Sequence, residues 1–185
     1  MHQPVPRWRR RLITTLLLLT AAGCAATRTR EAPGEVIDDS VITTKVKAAL
    51  VRDPATKARQ IEVETFRGTV QLSGFVASGA ERDRAAELAR GTGGVHAVQN
   101  NLEVRSTDTT VGVKLDDTVI TTKVKAALVG NPVTKARQIN VDTLRGVVQL
   151  SGFVDDAAEK SEAGRVASQV EGVQDVHNEL RIKAP

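Results

Sequence analysis

The 185-residue sequence has no tyrosine, one tryptophan, three phenylalanines, one cysteine and three histidines. So few rings exclude a stacking platform for single-stranded nucleic acid, which needs successive exposed aromatic faces. One cysteine excludes a disulfide framework and a cysteine-based zinc site. The chain carries no H-E-x-x-H, no G-x-x-x-x-G-K-[ST], no G-x-G-x-x-G and no C-x-x-C. The chain is a tandem repeat, and His96 and His177 do not occupy equivalent places in its two copies. A duplicated metal site therefore has no support, and both read as surface or strand-edge residues. The sequence offers no catalytic residues, no metal ligands and no enzyme.

The excess of basic residues is local. Of 26 Lys and Arg, four (Arg7, Arg9, Arg10 and Arg11) precede residue 24 and no acid accompanies them. The remainder holds 22 residues of each sign. A protein that binds a polyanion keeps a basic excess, so nucleic acid is not expected as a partner.

The same arginines open a tripartite export signal. They form its positive region, Leu12 to Ala22 forms an apolar run too short to span a bilayer comfortably, and small residues precede Cys24. Ala21-Ala22-Gly23-Cys24 resembles the bacterial lipobox, with Ala21 where that pattern usually carries Leu. The resemblance implies removal of residues 1–23 and lipidation of Cys24, the covalent lipid being the sole attached group expected. Ala25 stands where Asp favours inner-membrane retention in such lipoproteins, which points to the outer membrane. The arginines leave general and twin-arginine export both open. Residues 24–34 read as a polar tether.

The rest of the chain is one unit written twice. Asp39-Ser40-Val41-Ile42-Thr43-Thr44-Lys45-Val46 returns as Asp117-Thr118-Val119-Ile120-Thr121-Thr122-Lys123-Val124, and Val70-Gln71-Leu72-Ser73-Gly74-Phe75-Val76 returns as Val148-Gln149-Leu150-Ser151-Gly152-Phe153-Val154. The register does not slip between Asp39 and Val104, which marks a tandem duplication. The boundaries read as 35–105 for the first unit, 106–115 for a linker and 116–185 for the second.

Each unit reads αββαβ. Ile42, Val46, Ala49 and Leu50 recur on one helical face, Asp39 is placed to cap the start, and Asp53-Pro54 and Asn131-Pro132 end the two equivalent helices. Ile61 and Val63, then Val70, Leu72 and Val76, alternate as strands about turns at Arg67-Gly68 and Arg145-Gly146. Ser78 with Glu81, and Asp156 with Glu159, mark a second helix start. Val98, Leu102 and Val104 form a last strand. A helix pair on one face of a three-stranded sheet is the economical packing for so small a unit. The glycine of each Ser-Gly pair marks a bulge or a close helix–sheet approach, and Asn100 and Asn178 suit structural hydrogen bonds to a neighbouring loop.

The D-x-x-I-x-x-K-V-x-x-A-L helix, the V-x-L-S-G-x-V strand and the G-V-x-x-V-x-N-x-L ending resemble the BON domain, bacterial OsmY and nodulation. The match spans both repeats. It implies an α+β fold of two tandem αββαβ domains, each a three-stranded mixed sheet packed with two helices. Two such domains behind a lipobox resemble dual-BON envelope lipoproteins. That implies a non-enzymatic, lipid-anchored protein of the outer membrane, facing the periplasm, that binds phospholipid and supports envelope integrity under osmotic or other stress. The alternative is a periplasmic adaptor that docks envelope proteins through its sheet faces.

Two surfaces are candidates. Lys123, Lys125, Lys135 and Arg137, with Val129 at the helix tip, read as an anionic-headgroup patch. Gly130 and Asn131 replace Arg52 and Asp53 there, which removes an acid and is expected to free Val129. A solvated helix face is the plain alternative. Phe75 and Phe153 point opposite to Leu72 and Leu150 by strand alternation. They read either as docking residues, for a partner or between domains, or as rings folded over the sheet edge.

Overall fold

In the first repeat the apolar stripe winds into helix α1 (Asp39–Arg52) and buries Ile42, Val46 and Leu50. A hairpin comes next, β1 (Ile61–Phe66) antiparallel to β2 (Thr69–Val76), then helix α2 (Gly79–Arg90) and strand β3 (Ala97–Val104), parallel to β2. The second repeat runs α3 (Val111–Gly130), β4 (Ile139–Leu144), β5 (Val147–Val154), α4 (Ala157–Ser168), β6 (Asp175–Asn178) and β7 (Arg181–Ile182). The structure, a computed structural model, describes residues 38–56, 60–105 and 111–183. The signal segment, Cys24, the tether, Lys57 and Arg59 lie outside them. Val36–Pro185, holding both repeats, forms one compact unit.

Each sheet places its long middle strand between the other two, in the order β1-β2-β3 in the first repeat and β4-β5-β6 in the second. Both helices of a repeat cover one face of its sheet. The core beneath them joins Ile42, Val46 and Leu50 to Val63, Leu72, Ala85 and Ala89, and Val124 and Leu128 to Val141, Leu150, Ala163 and Ala167. Burying each Leu or Val contributes about 1.5–3 kcal/mol. This is the α+β architecture of mixed sheets and paired helices that the sequence pattern implies.

Three details differ from the sequence reading. Helix α3 begins at Val111, so half of the stretch read as linker (106–115) is helical. The last strand of the second repeat is in two pieces, both parallel to β5, although the Glu179 N–H between them still donates to the Leu150 carbonyl at 2.8 Å. Finally, Asp38 caps α1, its carboxylate accepting from the Ser40 N–H at 2.9 Å.

Asp39 is thereby free for another task. Its two oxygens accept from the N–H groups of Arg67 and Gly68, at 2.6 and 2.8 Å. Both turn residues have positive φ, 49° and 72°, as the right-handed twist of a two-residue hairpin demands. Holding a non-glycine residue there costs about 1–2 kcal/mol, which the two charge-assisted bonds offset. Asp117 grips Arg145 and Gly146 in the same way, at 2.9 Å each.

The helix starts Ser78 and Asp156 accept from the N–H groups of Glu81 and Glu159, as the spacing predicts. The buried hydroxyls of Thr56 and Thr134 close the C-terminal ends of α1 and α3, donating to the carbonyls of Leu50 and Leu128. Asn100 and Asn178 do make structural bonds, but to helix carbonyls rather than a loop: Arg82 at 3.1 Å and Lys160 at 2.7 Å.

Candidate functional site

Strand alternation turns Gln71, Ser73 and Phe75 away from the helices, with Gln149, Ser151 and Phe153 equivalent. A lone sheet would leave these side chains in water. Here the two glutamines and two serines are each 1% exposed, because the open faces of the two sheets meet.

The contact is reciprocal. Gln71 Oε1 accepts from the Gly152 N–H at 2.9 Å, and Gln149 Oε1 accepts from the Gly74 N–H at 2.6 Å. Gln71 Nε2 donates to the Glu179 carbonyl at 2.7 Å, and Gln149 Nε2 to the Asn101 carbonyl at 2.8 Å. Each bond is the other's image under a pseudo-twofold exchange of repeats. Both side-chain amides are thus satisfied at donor and acceptor, as burial requires. Gly74 and Gly152 have φ of 115° and 122°, and a Cβ there would lie 2.2 and 2.1 Å from the carbonyl oxygens of Gln60 and Gln138. The close approach at these glycines is therefore to the chain entering the first strand, and not the helix–sheet approach that the sequence suggests.

The phenylalanines sit at the rims of this seam. Phe153 meets Phe66 of the first repeat with ring centroids 5.4 Å apart. Phe75 is buried and lines a cleft of about 590 Å³ with Leu144, which is the counterpart of Phe66, and with Lys125 and Asp142.

Charged groups complete the edges. Asn140 Nδ2 donates to Glu64 Oε1 at 3.0 Å, and Asn101 Nδ2 donates to the Glu179 carboxylate. His177, half-buried on the edge strand β6, lies between Glu103 of the first repeat and Asp175 of its own strand. Burial pulls its pKa down, but the hydrogen bonds to those two carboxylates outweigh burial and raise it. Asp142 Oδ2 is buried with no hydrogen-bond partner. Burial, then the nearby charge of Glu62, lifts this carboxyl to about 6 against the opposing pull of Lys125.

The structure divides the basic candidates among three places. Residues two apart on a helix point about 200° apart, so Lys123 and Lys125 diverge. Lys123 pairs with Glu171 at 3.0 Å beside Gly172, and Lys125 faces the inter-repeat cleft. Val129, Lys135 and Arg137 do come together, along a groove of about 490 Å³ at the far end of α3. Lys135 pairs with Asp155, while Arg137 has no ion-pair partner among the described residues. Val129 is 73% exposed, but Val51 in the first repeat is 72% exposed, so replacement of Arg52 and Asp53 does not make the second tip more accessible.

Sequence reasoning missed Gln71, Ser73, Gln149 and Ser151. The available signal was an uncharged polar pair, identical in both copies, on the face of a central strand where solvent would favour charge. Among the described residues no three His, Cys, Asp or Glu side chains could hold a metal ion, and no helix is long and apolar enough to cross a membrane.

The BON domain family model matches residues 38–106 and 116–184. The chain is 42% identical to the osmotically-inducible protein Y of Escherichia coli over 151 residues, covering 81% of this chain and 75% of that one. It is 31% identical to the outer membrane lipoprotein DolP of Haemophilus influenzae over 144 residues, 77% and 74% of the two chains. A 21 kDa hemolysin of Actinobacillus pleuropneumoniae is 33% identical over 145 residues, 77% and 73%.

Proposed function

The chain belongs to the BON domain family, and from that premise we propose that it is a non-enzymatic envelope lipoprotein, held in the outer membrane by lipid on Cys24, that binds anionic phospholipid through its second repeat. Its role is support of the envelope under osmotic or related stress. The observation that carries the lipid reading is the groove of Val129, Lys135 and Arg137, where an exposed apolar tip stands beside two cations. Each cation near an anionic leaflet contributes about 1 kcal/mol. The exposed pair of Lys135 with Asp155 is weak enough to yield to a headgroup. The export signal, and the names of relatives that are an osmotically induced protein and an outer membrane lipoprotein, support the location and the stress role.

An adaptor that docks partners through its sheet faces gains no support from the fold, since each open face is covered by the other. Vesicle flotation of the full chain carrying Cys24→Ser tests the lipid reading. Phosphatidylglycerol vesicles float the protein in a salt-sensitive manner and phosphatidylcholine vesicles do not. Lys135→Glu with Arg137→Glu reduces flotation several-fold, whereas Lys123→Glu leaves it nearly intact. Flotation that ignores the groove variant, or an absence of binding to anionic vesicles, overturns the assignment.

A further inference from the structure

One pair of seam contacts, both between β1 and β4, departs from the exchange symmetry in its charge. Exchange of repeats maps Asn140 and Glu64 onto Glu62 and Asp142. In the first contact an amide donates to a carboxylate at 3.0 Å. In the second, two carboxyl groups occupy the equivalent places, and Asp142 Oδ2 is left buried and unpaired. A proton is what this pair lacks: protonated Asp142, in the place of Glu64, supplies a donor with the polarity reversed, and the carboxylate of Glu62, in the place of Asn140, is the matching acceptor.

We propose that the seam between the repeats is an acid-tightened latch whose proton acceptor is the buried carboxyl of Asp142. The groups around it fit this role. Lys47 on α1 lies 3.6 Å from the Glu62 carboxylate and pairs with it. Asp117, in the same cleft, is committed to the Arg145-Gly146 turn. Lys125 and Lys114 line the cleft from α3, Lys125 favouring the ionised form, while Glu64 is occupied by Asn140. On the opposite edge His177 faces Glu103 and Asp175, with Arg105 nearby, and its protonated form too holds the repeats together.

Proton binding sets the sign. A carboxyl that holds its proton more tightly in the closed seam stabilises that seam fully below the ordinary aspartate range. The stabilisation is lost as pH rises through about 6. The shift corresponds to on the order of a hundredfold in the closed-to-open ratio.

The test compares amide hydrogen exchange of Gly74 and Gly152, whose N–H groups cross the seam, with the core amides of Leu72 and Leu150. The full chain carries Cys24→Ser and His177→Gln, so that the histidine contributes nothing. From about pH 5 to 7.5, seam protection relative to the core falls at least about tenfold. In Asp142→Asn, which restores the amide–carboxylate contact, it stays at the acid value. Protection that does not change with pH, or that falls equally in Asp142→Asn, overturns the proposal. Carboxyl-carbon NMR of Asp142 in the parent chain gives a second readout, independent of how the variant folds: a midpoint near 6 upholds the latch, and one near 4 removes it.

Discussion

The hydroxyl of Ser73 hydrogen-bonds the hydroxyl of Ser151 at 2.8 Å, across 78 residues of chain. The two are the same residue of the two repeats, so the bond lies on the pseudo-twofold axis. The bonds of Gln71 and Gln149 come in pairs about it.

Gln71→Ala removes both bonds of one amide and leaves the Gly152 N–H and the Glu179 carbonyl without partners. Each unpaired buried group costs about 1–3 kcal/mol. Urea denaturation is expected to show a loss of about 2 kcal/mol or more, with Gln149→Ala close to it. A loss below about 0.5 kcal/mol, the range of surface changes, would mean that the seam is not closed in solution.

Asp117→Ala strips two charge-assisted bonds from a turn in which Arg145 has positive φ. The expected cost is about 1.5–3 kcal/mol. Asp39→Ala costs less, because Asp39 is more exposed than the buried Asp117 and water replaces its bonds. Chemical denaturation of the two single variants checks the order.

Gly152→Ala places a methyl group 2.1 Å from the Gln138 carbonyl oxygen at a φ of 122°. Neither strain relaxes without moving β4, and the backbone strain alone costs about 1–3 kcal/mol. A lowered melting temperature is expected for Gly152→Ala and Gly74→Ala alike, whereas Gly130→Ala, with nothing within 4 Å, leaves it unchanged.

Asp155 is held down at about 2 by hydrogen bonds from Lys135 and then Lys183. A depressed carboxylate contributes stability above its ordinary range and loses it as pH falls through the depressed value. In Lys135→Ala the Asp155 midpoint rises but stays below 3.8, because Lys183 still donates at 2.6 Å. Carboxyl NMR titration reads this directly.

Cys24→Ser is expected to move the protein from the detergent phase to the aqueous phase in Triton X-114 partitioning. Unchanged partitioning would exclude the lipobox reading.

The fold was legible in the sequence because repetition doubled each signal: two copies of the Ile42-Val46-Leu50 stripe, two S/D-x-x-E caps and two x-Pro stops. The seam was not, because period-two alternation says which face Gln71 and Ser73 occupy and nothing about what lies opposite. The position of Asp39 points to a cap because a helix-start aspartate ordinarily is one; only the three-dimensional course of the hairpin brings the Arg67 and Gly68 amides to it. The basic patch failed as a single site for a geometric reason. Lys123 and Lys125 are neighbours in sequence but lie nearly opposite around the helix.

The covalent tandem also permits something that two identical chains cannot do. In a homodimer built on this seam, one residue type would have to serve both symmetry-related contacts, so Glu62 would face whatever partner it faces twice. Joining the halves in one polypeptide lets the two contacts diverge, with Asn140 opposite Glu64 and Asp142 opposite Glu62. One contact can then keep a constant grip while the other responds to its surroundings.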